Sequence, residues 1–130
     1  MTKALINLLN RIANEFECEV VESNEFAYYY EENTICVTDA KSDFDEKFLE
    51  LARKEGLNKE VGCFVISFFH ELGHNETIDD VEEEYVGNKD SLTMEEYFYL
   101  EEEYLATEWA IDYCNENLDL VKKIQKMLDK

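Results

Sequence analysis

Residues 61–74 read VGCFVISFFHELGH, and this run constrains the fold more than any other part of the chain. Its first two turns are apolar on nearly every side, so the helix they predict, over residues 59–75, has to pass through the middle of the molecule. A buried helix that ends in His70, Glu71 and His74 must find partners for those polar groups. Positions i and i+4 share one face of a helix, so both imidazoles can reach one ion. Zinc takes neutral imidazole nitrogen well, and a catalytic zinc site uses three protein ligands and keeps a position for water. Glu71, next to the first His, is placed to take a proton from that water, whose pKa zinc lowers toward about 7. The chain has two histidines and both lie in this motif. Chance would produce the pattern on the order of once in a few hundred chains.

A chain of 130 residues, 45% apolar and 13% aromatic, is expected to form one domain with a core of its own, without help from disulfides. No apolar run approaches 18 residues, so no membrane span is expected. The amino terminus is not expected to act as a secretion signal, because Asn7, Asn10 and Arg11 interrupt its apolar stretch. Cys18, Cys36, Cys63 and Cys114 are scattered without a CxxC pair, which fits free thiols in a reducing, cytoplasmic setting. A net charge of −20 argues against direct nucleic-acid binding, since neutralising phosphate needs clustered Lys and Arg. The same charge suits a basic protein partner.

The rest of the chain reads as α+β, a small antiparallel three-stranded sheet beside a helical core with a zincin-like active-site helix. Leu5, Leu8, Leu9, Ile12, Ala13 and Phe16 predict a first amphipathic helix over 3–16. Strands are expected near 17–22, 26–31 and 34–38, divided by turns at Ser23-Asn24 and Glu32-Asn33, as a meander. Ser42 starts a helix that stops at Gly56, and Asn58 is the expected cap of the central helix. Residues 76–91 read as an acidic loop, Ser91 as the cap of one long helix to about Asn115, and 118–128 as a last amphipathic helix.

The third ligand has to be an acid, because no histidine remains. The inward face of the long helix is expected to carry Tyr99, Ala106, Ala110 and Cys114, small residues that let two helices approach closely. Glu103 shares that face, Glu102 lies beside it as the reserve, and Glu101 and Glu108 point to solvent.

Taken in order, the strand Asn33–Val37, a helix, HELGH and then Glu103-x-x-Ala106-x-x-x-Ala110 resemble the ImmA/IrrE family of metallopeptidases across residues 26–114. Trp109 stands where that family usually has Phe, and its Leu-Leu-Met-Pro continuation is replaced by Ile111-Asp112-Tyr113-Cys114. The resemblance implies zinc held by His70, His74 and Glu103, Glu71 as the base, and cleavage of a regulatory protein such as a basic transcriptional repressor. Tyr85, Tyr97, Tyr99 and Tyr104 are the candidates for steadying the oxyanion. Two other functions fit parts of the sequence: a metal-bound module that grips a partner without cutting it, and an acidic decoy that imitates nucleic acid.

Overall fold

The computed structural model describes residues 1–129. It is an α+β domain: α1 (Lys3–Asn14), β1 (Glu19–Glu22), β2 (Ala27–Tyr29), β3 (Thr34–Val37), α2 (Asp43–Lys54), α3 (Cys63–Thr77), α4 (Met94–Phe98), α5 (Glu101–Glu116) and α6 (Leu118–Leu128). Among the described residues no helix is long and apolar enough to cross a membrane. All four cysteines are free thiols, three of them buried.

Helix α3 is the axis of the core. Val65, Ile66, Phe68, Phe69 and Leu72 are fully buried, as an all-round apolar helix requires. Its start differs from expectation. Asn58 caps no helix; its Oδ1 accepts from the Glu60 N–H in a turn, and α3 begins after Gly62 without a side-chain cap. Burial of Val61 and a hydrogen bond from Gly62 N–H to Gln125 Oε1 of α6 (2.6 Å) anchor the entry instead. Helix α2 starts and stops as expected: Ser42 Oγ accepts from Asp45 N–H, and Gly56 adopts a φ of +108° just past the end.

The sheet is not the antiparallel meander expected from the turns. Its order is β1-β3-β2, with β1 parallel and β2 antiparallel to β3. The Glu32-Asn33 turn does close a hairpin, with Asn33 at a φ of 48°, but Ser23-Asn24 does not. Ser23 N–H bonds Val37 O and extends the β1 pairing to β3. The reason lies in burial: Ile35, Cys36 and Val37 are all buried, so β3 is covered on both faces and takes the centre. The more polar β1 and β2 become edges. Asn10 of α1 seals the outer edge of β1, accepting from Val20 N–H (2.8 Å) and donating to Val20 O (3.1 Å). Among the described residues no strand pairs with the outer edge of β2.

The long helix expected from Ser91 is divided in two. Thr93, not Ser91, caps α4 through a reciprocal box with Glu96, and the chain breaks at Tyr99-Leu100 before α5. That break turns Tyr99 out, half-exposed, while Phe98 fills the core. Beyond it the expected face holds: Glu103, Ala106, Ala110 and Cys114 are all buried against α3.

Helices α3 and α5 touch where Gly73 meets Ala106. A Cβ on Gly73 would overlap the Ala106 carbonyl oxygen and lie 3.1 Å from its Cα. Gly73→Ala gains roughly 1 kcal/mol of helix propensity. It meets backbone that cannot swing aside, and overpacking of that kind costs about 1–3 kcal/mol. The clash should win, giving a lower melting temperature and weaker metal binding in the same variant. A Gly73→Ala protein as stable as the native chain would show that the helices have room to spare.

Candidate metal centre

His70 and His74 lie one turn apart on α3, as their spacing requires, and α5 brings Glu103 to both. Glu103 Oε1 is 2.9 Å from His70 Nε2 and 2.9 Å from His74 Nε2, and the two Nε2 atoms are 3.1 Å apart. Packing fixes the rings. Phe48 meets His70 edge-on at 4.9 Å, and Tyr28 of β2 lies parallel to His74 at 6.3 Å. Tyr28 donates from its hydroxyl to Asn75 Oδ1, and Asn75 donates to Phe16 O, so the sheet, α3 and the turn after α1 are joined beside the site.

The hydrogen-bond network assigns the protons. Thr107 Oγ1 donates to Glu103 O (2.8 Å), so toward His70 Nδ1, 2.9 Å away, it can only accept. His70 therefore carries its proton on Nδ1 and turns a lone pair from Nε2 toward a carboxylate oxygen. Two acceptors at 2.9 Å repel unless a cation lies between them. Without metal, an extra proton fills that role. Burial lowers the pKa of His74, but its bond to the Glu103 carboxylate outweighs this and the net effect is upward. Burial likewise raises Glu103, yet the two imidazoles set against its Oε1 hold its carboxyl well below the usual range.

A single proton serves one such pair, whereas three lone-pair atoms converge here. A tetrahedral ion with bonds of about 2.0–2.1 Å separates its ligand atoms by roughly 3.3 Å, so a triangle of 2.9–3.1 Å sides fits zinc with little adjustment. Two neutral imidazoles and one carboxylate are also its usual catalytic donors. Thr107 on the far nitrogen of His70 is the kind of outer partner that orients a metal-bound imidazole.

Glu71 groups with both histidines within 4.8 Å, a step outside the Glu103 triangle. It is half-buried, and burial pushes its carboxyl upward against the opposing pull of His70 and His74. Two hollows of about 470 and 630 Å³ share Phe26, Glu71 and Tyr97 in their walls, the first reaching His70 and the second His74 and Glu103. Both fall in the size range of ligand pockets, and Glu71 stands on the wall they share.

Of the other acids weighed from sequence, Glu102 is buried but turned away: Oε2 accepts from Tyr85 N–H and Oε1 faces Lys89. Glu101 and Glu108 are exposed as expected. Thr107 and Lys89 were missed. Thr107 is a lone hydroxyl one turn after Glu103 and belongs to no motif, so no sequence signal singles it out. Lys89 sat unnoticed in an acidic loop, where one cation among many acids was itself a signal. No family model, curated protein or solved structure matches the chain.

Two expectations follow. In metal-free protein the His74–Glu103 pair stabilises fully between the ordinary carboxyl and imidazole values, 4.5 and 6.5. Because the folded His74 value is raised, that stability is lost as pH climbs through it, and zinc, which needs neutral imidazoles, behaves in the opposite way. The melting-temperature gap between zinc-loaded and chelator-treated protein should widen from about pH 6 to about pH 8; a narrowing gap would contradict the assignment. Thr107→Val leaves His70 Nδ1–H without an acceptor and should weaken zinc binding about 10- to 100-fold, measured by chelator competition.

Proposed function

We propose that this chain is a zinc-dependent endopeptidase in which His70, His74 and Glu103 hold the ion and Glu71 is the general base. One observation carries the reading: three lone-pair atoms converge within 2.9–3.1 Å while the only proton of neutral His70 is committed to Thr107. Zinc bound there supplies Lewis acidity toward a carbonyl and a water that ionises near neutral pH. Glu71 would take the proton of the attacking water as the new C–O bond forms and then pass it to the amine nitrogen, so that the C–N bond breaks with a neutral amine leaving. Burial and the nearby Glu103 and Glu71 carboxylates keep the Tyr97 phenol protonated, fit to donate to the carbonyl oxygen. Tyr97 borders both hollows, whereas Tyr99 and Tyr104 donate to Glu55 and Tyr85 folds over Gly87.

The outer edge of β2 suits an extended peptide, which could add main-chain hydrogen bonds beside Phe26 and Tyr28. Acidic residues (Glu82, Glu84 and Glu102) line the hollow on the His74 side, and the whole chain carries −20. A basic regulatory protein, such as a DNA-binding repressor, is the substrate class this surface favours.

The test is metal content followed by one substitution. Purified protein should hold about one zinc per chain, and His74→Ala should lose it. Glu71→Gln keeps side-chain size and should keep zinc, while cleavage of a basic repressor-like protein falls by a factor on the order of a hundred or more. A Gln variant that acts on its partner as well as the native chain would replace the enzyme by a binding module. Absence of zinc from both proteins would favour the acidic decoy.

A further inference from the structure

Three consecutive carboxylates open α5, and each has a different task. Glu101 Oε1 accepts from the backbone N–H of Glu82 and of Glu83. Glu102 accepts from Tyr85 N–H through Oε2 (3.1 Å) and pairs with Lys89 Nζ through Oε1 (3.0 Å). Glu103 divides its oxygens: Oε1 faces the two imidazoles, and Oε2 accepts from Lys89 Nζ at 2.7 Å. The loop that carries Lys89 is thereby laced to the helix that carries the carboxylate. A short 3-10 turn, Lys89–Ser91, starts where Asn88 Oδ1 accepts from Asp90 N–H (2.9 Å) and fixes the origin of the lysine side chain. The ammonium also lies 5.9 Å from the centre of the Tyr97 ring, close enough for a cation–π attraction.

We propose, on the metal-site reading above, that Lys89 is a positioning residue that keeps Glu103 a one-oxygen ligand and so holds the site at four ligands, one of them water. A carboxylate can hold an ion through one oxygen or two; the first gives three protein ligand atoms and a water, the second adds a fifth atom to that set. Glu103 is 3% exposed, so no solvent competes for Oε2. In that setting a charge-assisted bond of 2.7 Å is of the strong kind and sets which way the second oxygen points. With the ammonium gone, Oε2 has no cation to face except the ion beside Oε1, and the carboxylate can turn until both oxygens bind. Lys89 itself is partly exposed, so replacing it by Met, an apolar side chain of similar length, removes the charge without opening a cavity in the core.

The full chain, loaded with one equivalent of cobalt(II) in place of zinc, reports coordination number through its visible absorption, strong for four ligands and weak for five. Native protein and Lys89→Arg should share the four-ligand spectrum, because guanidinium can also hold Oε2. Lys89→Met should bind cobalt with the native melting behaviour of the fold and show a several-fold weaker band. An unchanged spectrum in Lys89→Met overturns the proposal, as does loss of cobalt from a folded Met variant, which would make the lysine a requirement for binding rather than a restraint on its mode. If the native chain itself takes up no cobalt or zinc, the metal-site reading fails first and this proposal with it.

Discussion

The close contact between Gly73 and Ala106 is the constraint on which the site depends. With no side chain between them, α3 and α5 come together backbone to backbone. Glu103 then stands three residues before the contact and Thr107 one after it, so both reach the same imidazole. Glu103 meets Nε2 of His70 and Thr107 meets Nδ1, each at 2.9 Å. A helix separation wider by the depth of one methyl group would break both bonds together. The rest of the core serves this contact: α2 and α4 brace it through Phe48 against Phe98, and α6 holds the start of α3.

Charge is handled locally in a chain that carries a large excess of it. A net −20 works against compactness, yet two carboxylates, Glu102 and Glu103, are buried at the head of α5. They persist there because each accepts from named donors: loop N–H groups, Lys89 and the histidines. Their place in the first turn of a helix adds the favourable dipole. The same triplet thus holds a loop, holds a lysine and completes a triangle with the two imidazoles. A negative surface outside and partnered acids inside, with Glu102 Oε1 held only by its ion pair with Lys89, are separate consequences of one composition.

Much of this was legible in the residues. The apolar run before His70 could only be a buried helix, and the one-turn spacing of His70 and His74 needs no tertiary information. Ser42 and Gly56 bounded α2 because caps and left-handed stops act within a few residues. The misreadings came where two local signals competed. Asn58 and Ser91 are both good caps in isolation, but Val61 burial and the Thr93–Glu96 box moved the true starts of α3 and α4. The sheet failed for a different reason. Turn residues say that the chain reverses, whereas strand order follows from which strand has both faces to bury, and β3 with Ile35, Cys36 and Val37 does.

The sequence by itself determined the central helix, the pairing of its two histidines, the identity of the neighbouring Glu71 and the face of α5 that turns inward. These follow from a 3.6-residue period and from residue chemistry, both local properties. Tertiary structure alone decided between Glu102 and Glu103, because adjacent residues differ by about 100° around a helix and only the position of a second helix says which of them meets His70. It alone brought Lys89 and Thr107 to the site, since neither belongs to a motif and both act across contacts between elements far apart in sequence. It also placed Tyr97, alone of the four tyrosines weighed, on the walls of both hollows. A side chain's type is written in the chain, but the direction of its hydrogen bond is set by what packs opposite.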